Sequence, residues 1–204
     1  VPFVVFEGID GAGKSTLISG LVDAVKSTGQ EVVLTREPGG SQLGDELRSL
    51  LLRVNGEAPC PRAELLLYEA ARAQHVDLKI RPALQKKSWV VSDRFYAASV
   101  AFQVGGRGLD RGLVDTLNTI AVDGTHPDIW VLLDLPTEHA HRRMMGRDLD
   151  RFELEKQDFH ERVRQSYLDL AKEDPKKWLV LDARKTPDEL KIELLTHFKT
   201  KGLL

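Results

Sequence analysis

With 204 residues, 42% of them hydrophobic, the chain is long enough for one α/β domain with a substantial core. A formal net charge of −2 with both signs interspersed weighs against a protein that coats nucleic acid or binds a membrane surface. No apolar run approaches a bilayer span and the start lacks a basic region followed by a long apolar segment, so a cytoplasmic protein is expected; Cys60, the lone cysteine, lies between Pro59 and Pro61 and reads as an incidental thiol.

In chain order, Phe3 to Phe6 reads as a buried strand feeding the run Gly8, Ile9, Asp10, Gly11, Ala12, Gly13, Lys14, Ser15 and Thr16. Leu17, Ile18, Leu21, Val22 and Val25 then recur at helical spacing until Gly29. Strand, glycine-rich loop and helix together make a phosphate-binding P-loop. Its backbone N–H groups converge on a polyphosphate, Lys14 adds a cation, and the Ser15 hydroxyl can ligand Mg²⁺. A second strand, Glu31 to Leu34, runs into Thr35, Arg36, Glu37, Pro38, Gly39 and Gly40; a third, Trp89 to Ser92, ends at Asp93 and Arg94. Ile129 to Leu133 and Trp178 to Leu181 are a fourth and a fifth, each followed by an aspartate. Continuous apolar strands alternating with amphipathic helices predict a five-stranded parallel sheet with helices on both faces and ligands at the strands' carboxyl ends. No repeat or linker divides the chain, so residues 1–204 are expected to form a single domain, with the arginine-rich stretch from Arg142 to Lys156 as a lid.

A guanine-reading Asn-Lys-x-Asp segment is absent, as is the second early lysine of partitioning-type ATPases. The chain offers instead Arg36, Arg48, Arg72, Arg94, Arg107, Arg142, Arg143, Arg147 and Arg151. A kinase moving a phosphoryl group between two anions needs such a set, because its catalysis is positioning plus neutralisation of spread charge. Ordinary solvation accounts equally for some of the lid arginines, but less well for Arg94, which follows a buried strand.

The segments FEGIDGAGKST, TREPGG, ELLLYEAAR, SDRF, SVAFQ followed by GGRGLD, and LDRFE occur in this order along most of the chain. Together they resemble the bacterial thymidylate kinases. The resemblance implies a P-loop nucleoside-monophosphate-kinase fold, a homodimer, and Mg²⁺-dependent transfer of the γ-phosphoryl of ATP to dTMP, giving dTDP on the way to dTTP for DNA replication. It assigns Gly8, Asp10, Gly11, Ala12, Gly13, Lys14, Ser15 and Thr16 to ATP, and Ser15 and Asp93 to the metal. It gives Arg48 and Arg94 to the acceptor phosphate, makes Glu37–Pro38 a tight turn beside the acceptor, sets Asp10 near the 3′-hydroxyl, and puts Phe102 under the sugar, where an apolar ring disfavours a 2′-hydroxyl. Lys14, Asp93, Arg94 and Arg151 are the expected catalytic residues. Arg151 is chosen because the P-loop carries no arginine of its own; Arg147 and Arg143 are reserves.

Tyr68 and Arg72 lie four apart on one helix, and Ser99 and Gln103 repeat the spacing on another, so each pair shares a face. By the resemblance the four line the thymine pocket: ring stacking, a guanidinium at the carbonyl edge, and hydroxyl and amide groups on the base. Tyr68 read alone could be a core aromatic and Ser99 a helix-surface residue. Arg36 could pair with Asp10 or Asp93, Asp93 could cap a helix, and Arg151 could form a surface ion pair with Asp148 or Glu155. A cis bond at Glu37–Pro38 costs little, and the loop from Asp182 to Lys185 is the expected adenine edge or else a surface turn. Tyr68, Phe95 and Phe102 depart from the commonest family residues, which bears on selectivity among pyrimidine monophosphates, and Ala97 stands where relatives often have an acidic residue, so no supporting carboxylate is expected there. The competing classes are a kinase for another small acceptor on the same scaffold, and a nucleotide-dependent switch without turnover.

Overall fold

The computed structural model describes residues 1–146 and 148–204; Arg147 lies outside the described residues. Five strands, β1 (Phe3–Glu7), β2 (Val32–Arg36), β3 (Trp89–Asp93), β4 (Ile129–Asp134) and β5 (Trp178–Asp182), form one parallel sheet in the order β2-β3-β1-β4-β5. The burial pattern explains why they were readable. β1, β3 and β4 are buried almost throughout, so both faces demand apolar residues, whereas the edge strands β2 and β5 are partly open.

Helices α1 (Lys14–Ser27), α2 (Gln42–Leu52), α3 (Pro61–His75), α4 (Arg81–Gln85), α5 (Tyr96–Ser99), α6 (Arg111–Val122), α7 (Thr137–Met144), α8 (Gln157–Glu173) and α9 (Pro187–Thr200) connect and cover the strands. α1 packs on β1, β2 and β3 and against α9, while α8 packs on β4 and β5. Two details differ from the sequence reading. Ser99 ends the short α5 and Gln103 sits in a π-helical segment, Val100–Gly106, and not on one regular helix. Arg142 and Arg143 belong to the last turn of α7, where cations suit the negative helix end, so the non-helical lid begins only at Met145.

The sheet fixes the site by register. Phe6 pairs with Asp93 and Arg36 with Asp93, so the loops after β1, β2 and β3 leave the sheet side by side. Gly8 is obligatory at this exit: its φ is +133°, and a Cβ there would lie 2.6 Å from the Leu133 carbonyl oxygen.

Candidate active site

Lys14 opens α1 directly after Gly13, whose φ of 97° turns the loop into the helix. Its buried ammonium donates to the carbonyls of Gly8 (3.0 Å) and Ile9 (3.3 Å) and lies 3.8 Å from Asp10. Burial, and then the like charge of Arg94, pull its pKa below the usual lysine range. Ser15 and Asp93 line one open hollow. Asp93 Oδ1 is buried there without a hydrogen-bond partner, and an orphan carboxylate oxygen beside a serine hydroxyl fits Mg²⁺, which uses one or two protein oxygens together with phosphates and water. The capping alternative for Asp93 is not realised, because Phe95 is the residue preceding α5.

Thr16 shares a second hollow with Ala12, Gly13, Arg143, Ala183 and Lys185. Arg143 spans it, donating to the carbonyls of Ala183 (2.9 Å) and Gly11 (3.3 Å). The loop after β5 therefore does reach the P-loop, and Arg143, although exposed, is anchored by these carbonyls.

On the other side of the P-loop, Asp10, Glu37, Pro38, Arg48, Tyr68, Arg72, Arg94, Ser99, Phe102 and Gln103 all line a single cavity, joined by Asp150 and Phe152 from the lid. Every acceptor-side residue expected from the sequence is brought together. The free volume is about 60 Å³, far below the roughly 300 Å³ at which ligand pockets begin, so the cavity must widen to admit a nucleotide.

Arg94 occupies the seam between the two sides. Its backbone sits at φ 71°, a conformation unfavourable for a residue with a Cβ, and Ser92 Oγ donates to its carbonyl at 2.7 Å. Its guanidinium reaches Gly8 O at 2.9 Å and Asp10 at 2.8 Å. Burial works against the charge on Asp10, but Arg94 and then Lys14 prevail and hold its carboxyl down at about 2. Arg48 donates to Pro38 O at 3.0 Å, beside the cis Glu37–Pro38 peptide. Arg36 pairs with neither Asp10 nor Asp93; it is exposed and lies 3.6 Å from Asp45.

The base end corrects the sequence reading in two places. Arg72 is 1% exposed, and its guanidinium binds Glu37 (2.7 Å), Glu69 (2.6 Å), Ser99 (2.9 Å) and Asn118 (2.9 Å). Burial alone would lower its pKa, but Glu37 and Glu69 more than reverse that and keep it charged. Only Nη2, with a long contact to Phe95 O at 3.4 Å, keeps a hydrogen for the cavity. Ser99 has no hydroxyl hydrogen for a base: it donates to Glu69 at 2.8 Å and accepts from Arg72, so it supports Arg72. Consequently Arg72→Ala should do more than weaken substrate contact, since it takes the guanidinium from two buried carboxylates and leaves Glu37 with His75 and Glu69 with the Ser99 hydroxyl. Breaking a buried pair costs about 3–5 kcal/mol, or about 6–20 °C in Tm for a chain of this size. A thermal melt within about 3 °C of wild type, with only the acceptor KM raised, would leave the guanidinium as a substrate ligand and nothing more.

Gln103 donates its amide to Glu64 at 3.0 Å. A carboxylate only accepts, so the amide nitrogen must face it and the carbonyl oxygen is left for the cavity. Glu64, 0% exposed, was not anticipated. It also takes Arg107 at 3.2 Å and lies 2.8 Å from Arg151. Arg151 therefore forms neither the Asp148 nor the Glu155 pair; it rests against α2 and α3, with Nε donating to Leu51 O at 3.0 Å, on the acceptor side and not over the P-loop. Glu155 is held by Arg107 instead. Glu64, Tyr68 and Arg72 repeat at intervals of four, so the stripe that revealed the last two could have revealed the first. Glu7, Asn118 and Tyr167 carried no comparable signal. Burial pushes Glu7 up to about 7, against the pull of Arg94 and the hydrogen bonds from Tyr167 and Phe95 N.

A P-loop at the carboxyl end of a parallel sheet, with an arginine-rich anion cavity across Asp10 and a lid beyond it, defines a phosphotransferase that uses a nucleoside triphosphate donor. Comparison with known proteins narrows this. The thymidylate kinase family model matches residues 6–194. A thymidylate kinase of Bdellovibrio bacteriovorus is 50% identical, covering 99% of this chain and 97% of that protein, and one of Trichlorobacter lovleyi is 46% identical, covering 92% of each. The crystal structure of thymidylate kinase from Ehrlichia chaffeensis superposes with a TM-score of 0.80 at 32% identity, covering 97% of this chain and 98% of that one. The chain belongs to the thymidylate kinase family.

Proposed function

We propose that ATP lies along the P-loop, dTMP fills the cavity on the far side of Asp10, and the γ-phosphoryl passes in line between them. As a thymidylate kinase the chain is an ATP:dTMP phosphotransferase, forming dTDP for dTTP and DNA synthesis. The carrying observation is the convergence of all ten expected acceptor residues on one cavity adjoining Lys14 and Arg94. In this reading Lys14 leaves the Gly8 and Ile9 carbonyls for the donor phosphates. Arg48 and Arg94 hold the acceptor phosphate, and Tyr68 and Phe102 take the flat faces of base and sugar. Ser15 and Asp93 would hold Mg²⁺, which when bound neutralises charge on the donor phosphates. The hollow between Arg143 and Ala183 receives the donor's base, and the arginine-rich lid over a single domain closes on both substrates. Leu66 on α3, with Leu113 and Ile120 on the adjoining α6, are exposed apolar side chains that suit a homodimer face, and the enzyme is assigned to the cytoplasm.

Thymine presents a donor at N3 to the Gln103 carbonyl oxygen and an acceptor at O4 to Arg72 Nη2, whereas cytosine reverses both. A panel of monophosphates with Mg-ATP tests the reading. Activity on dCMP should fall by on the order of 10³ or more in kcat/KM because buried polar groups are mismatched, while dUMP, which lacks only a methyl, should lose about 10–200-fold. Equal turnover of dCMP, or faster phosphorylation of a nucleoside or simple alcohol, would assign a different acceptor.

A further inference from the structure

Arg94 must keep an unfavourable backbone while presenting its guanidinium to the seam between donor and acceptor, and the groups that hold it there come from two distant parts of the chain. Glu7, the last residue of β1, is fully buried. Its Oε1 accepts from the N–H of Phe95, the residue after Arg94, at 2.9 Å. Its Oε2 accepts from the Tyr167 hydroxyl at 2.7 Å and lies 3.9 Å from Arg94 Nη1. Tyr167, 1% exposed on α8, then accepts from Arg94 Nη1 at 3.0 Å. With Glu7 ionised, the direction of this relay follows. A tyrosine has one hydroxyl hydrogen, which goes to the carboxylate, so its lone pair faces the guanidinium. Nη1 is thus committed to Tyr167 and Gly8 O, leaving Nη2 with Asp10 at the cavity.

From these contacts we infer that Glu7 and Tyr167 are positioning residues for Arg94: the carboxylate fixes the peptide that follows Arg94, and the hydroxyl fixes the rotation of its guanidinium. The inference rests on the proposed contact of Arg94 with the acceptor phosphate. It also gives α8, which starts directly after the lid, a mechanical connection to that contact. The Phe102 ring, its centroid 5.0 Å from the Arg94 guanidinium and 6.4 Å from the Tyr167 ring, packs against the same group.

The test is a double-mutant cycle read by calorimetric titration of dTMP, with kcat measured alongside. Tyr167→Phe should weaken dTMP binding and lower kcat about tenfold each, the scale of a small misplacement of a catalytic group, in a protein whose Tm stays within a few degrees of wild type. In an Arg94→Ala background the same substitution should change dTMP affinity less than about twofold, because the side chain it positions is gone. Glu7→Gln, which turns a donor toward the tyrosine hydroxyl, should repeat the pattern if Tyr167→Phe folds poorly. An equal factor in both backgrounds, or no effect in the wild-type background, would overturn the positioning role while leaving the acceptor site intact. An Arg94→Ala protein with unchanged dTMP affinity and kcat would instead refute the acceptor-phosphate contact, and the inference with it.

Discussion

Lys14→Ala is expected to lower kcat by on the order of 10³ or more with the fold retained, because it removes the one P-loop cation aimed at charge that moves during transfer. Lys14 holds the Gly8 and Ile9 carbonyls and, with Arg94, neutralises Asp10. Those contacts are replaceable at modest cost: two carbonyls lose a donor, and Asp10 retains Arg94 at 2.8 Å. The lowered pKa of Lys14, set first by burial, means that its charge is maintained by Asp93, Asp10 and Glu7, the kind of ammonium that a polyphosphate can draw out of its resting contacts. Steady-state kinetics with a circular-dichroism control checks this. Retention of more than about a tenth of wild-type activity would take the P-loop lysine out of the mechanism, since removing even one oxyanion donor costs about 10²–10³ elsewhere.

The strands were legible because parallel strands buried on both faces leave no freedom for polar residues, and each ends at a charged residue that the register then gathers at one edge. The P-loop was legible because Gly8, Gly11 and Gly13 all have positive φ and Gly8 approaches the β4 backbone, so few other residues could occupy those places. The lid boundary was less so, since Arg142 and Arg143 read as a continuation of the polar run, although as cations they suit the end of α7.

The residues expected around the acceptor do line one cavity, but the sequence did not show what most of them contact there. Spacing of four places Tyr68 with Arg72 and Ser99 with Gln103, but it cannot say whether a guanidinium faces a ligand or a buried carboxylate. That depends on partners 27 to 46 positions away, Ser99, Glu37 and Asn118, which only the tertiary packing of α3, α5 and α6 supplies. The same holds for Glu64 and Glu69. A glutamate on a helix normally signals a solvated face, and its burial becomes intelligible only when Arg72, Arg107 and Gln103 are seen to satisfy it.

Arg151→Ala is expected to depress kcat by about 10³ or more while changing either KM far less, the scale of arginines that act on the transition state in other phosphoryl transfers. The P-loop has no arginine, so we propose that the charge comes from the lid; Arg147 lies outside the described residues, which leaves Arg143 and Arg151 to compare. Arg143 is spent on the carbonyls of Gly11 and Ala183. Arg151 is held less firmly: its Nη2 lies 2.8 Å from Glu64 yet makes no well-directed hydrogen bond, so a phosphate can compete for it. Its neighbours Asp150 and Phe152 line the cavity, so an opening of this segment for dTMP is expected to move Arg151 relative to Glu64 and Leu51. The competing role is a clamp that keeps the lid on α3, and it has a different kinetic signature. Loss of a clamp raises the dTMP KM and leaves kcat within tenfold, and Glu64→Gln would then reproduce the effect. If Arg151 is catalytic, Glu64→Gln frees the arginine and leaves kcat near wild type or above it. Comparing the two variants under saturating substrates separates a residue that stabilises the transferring phosphoryl group from one that only closes the site.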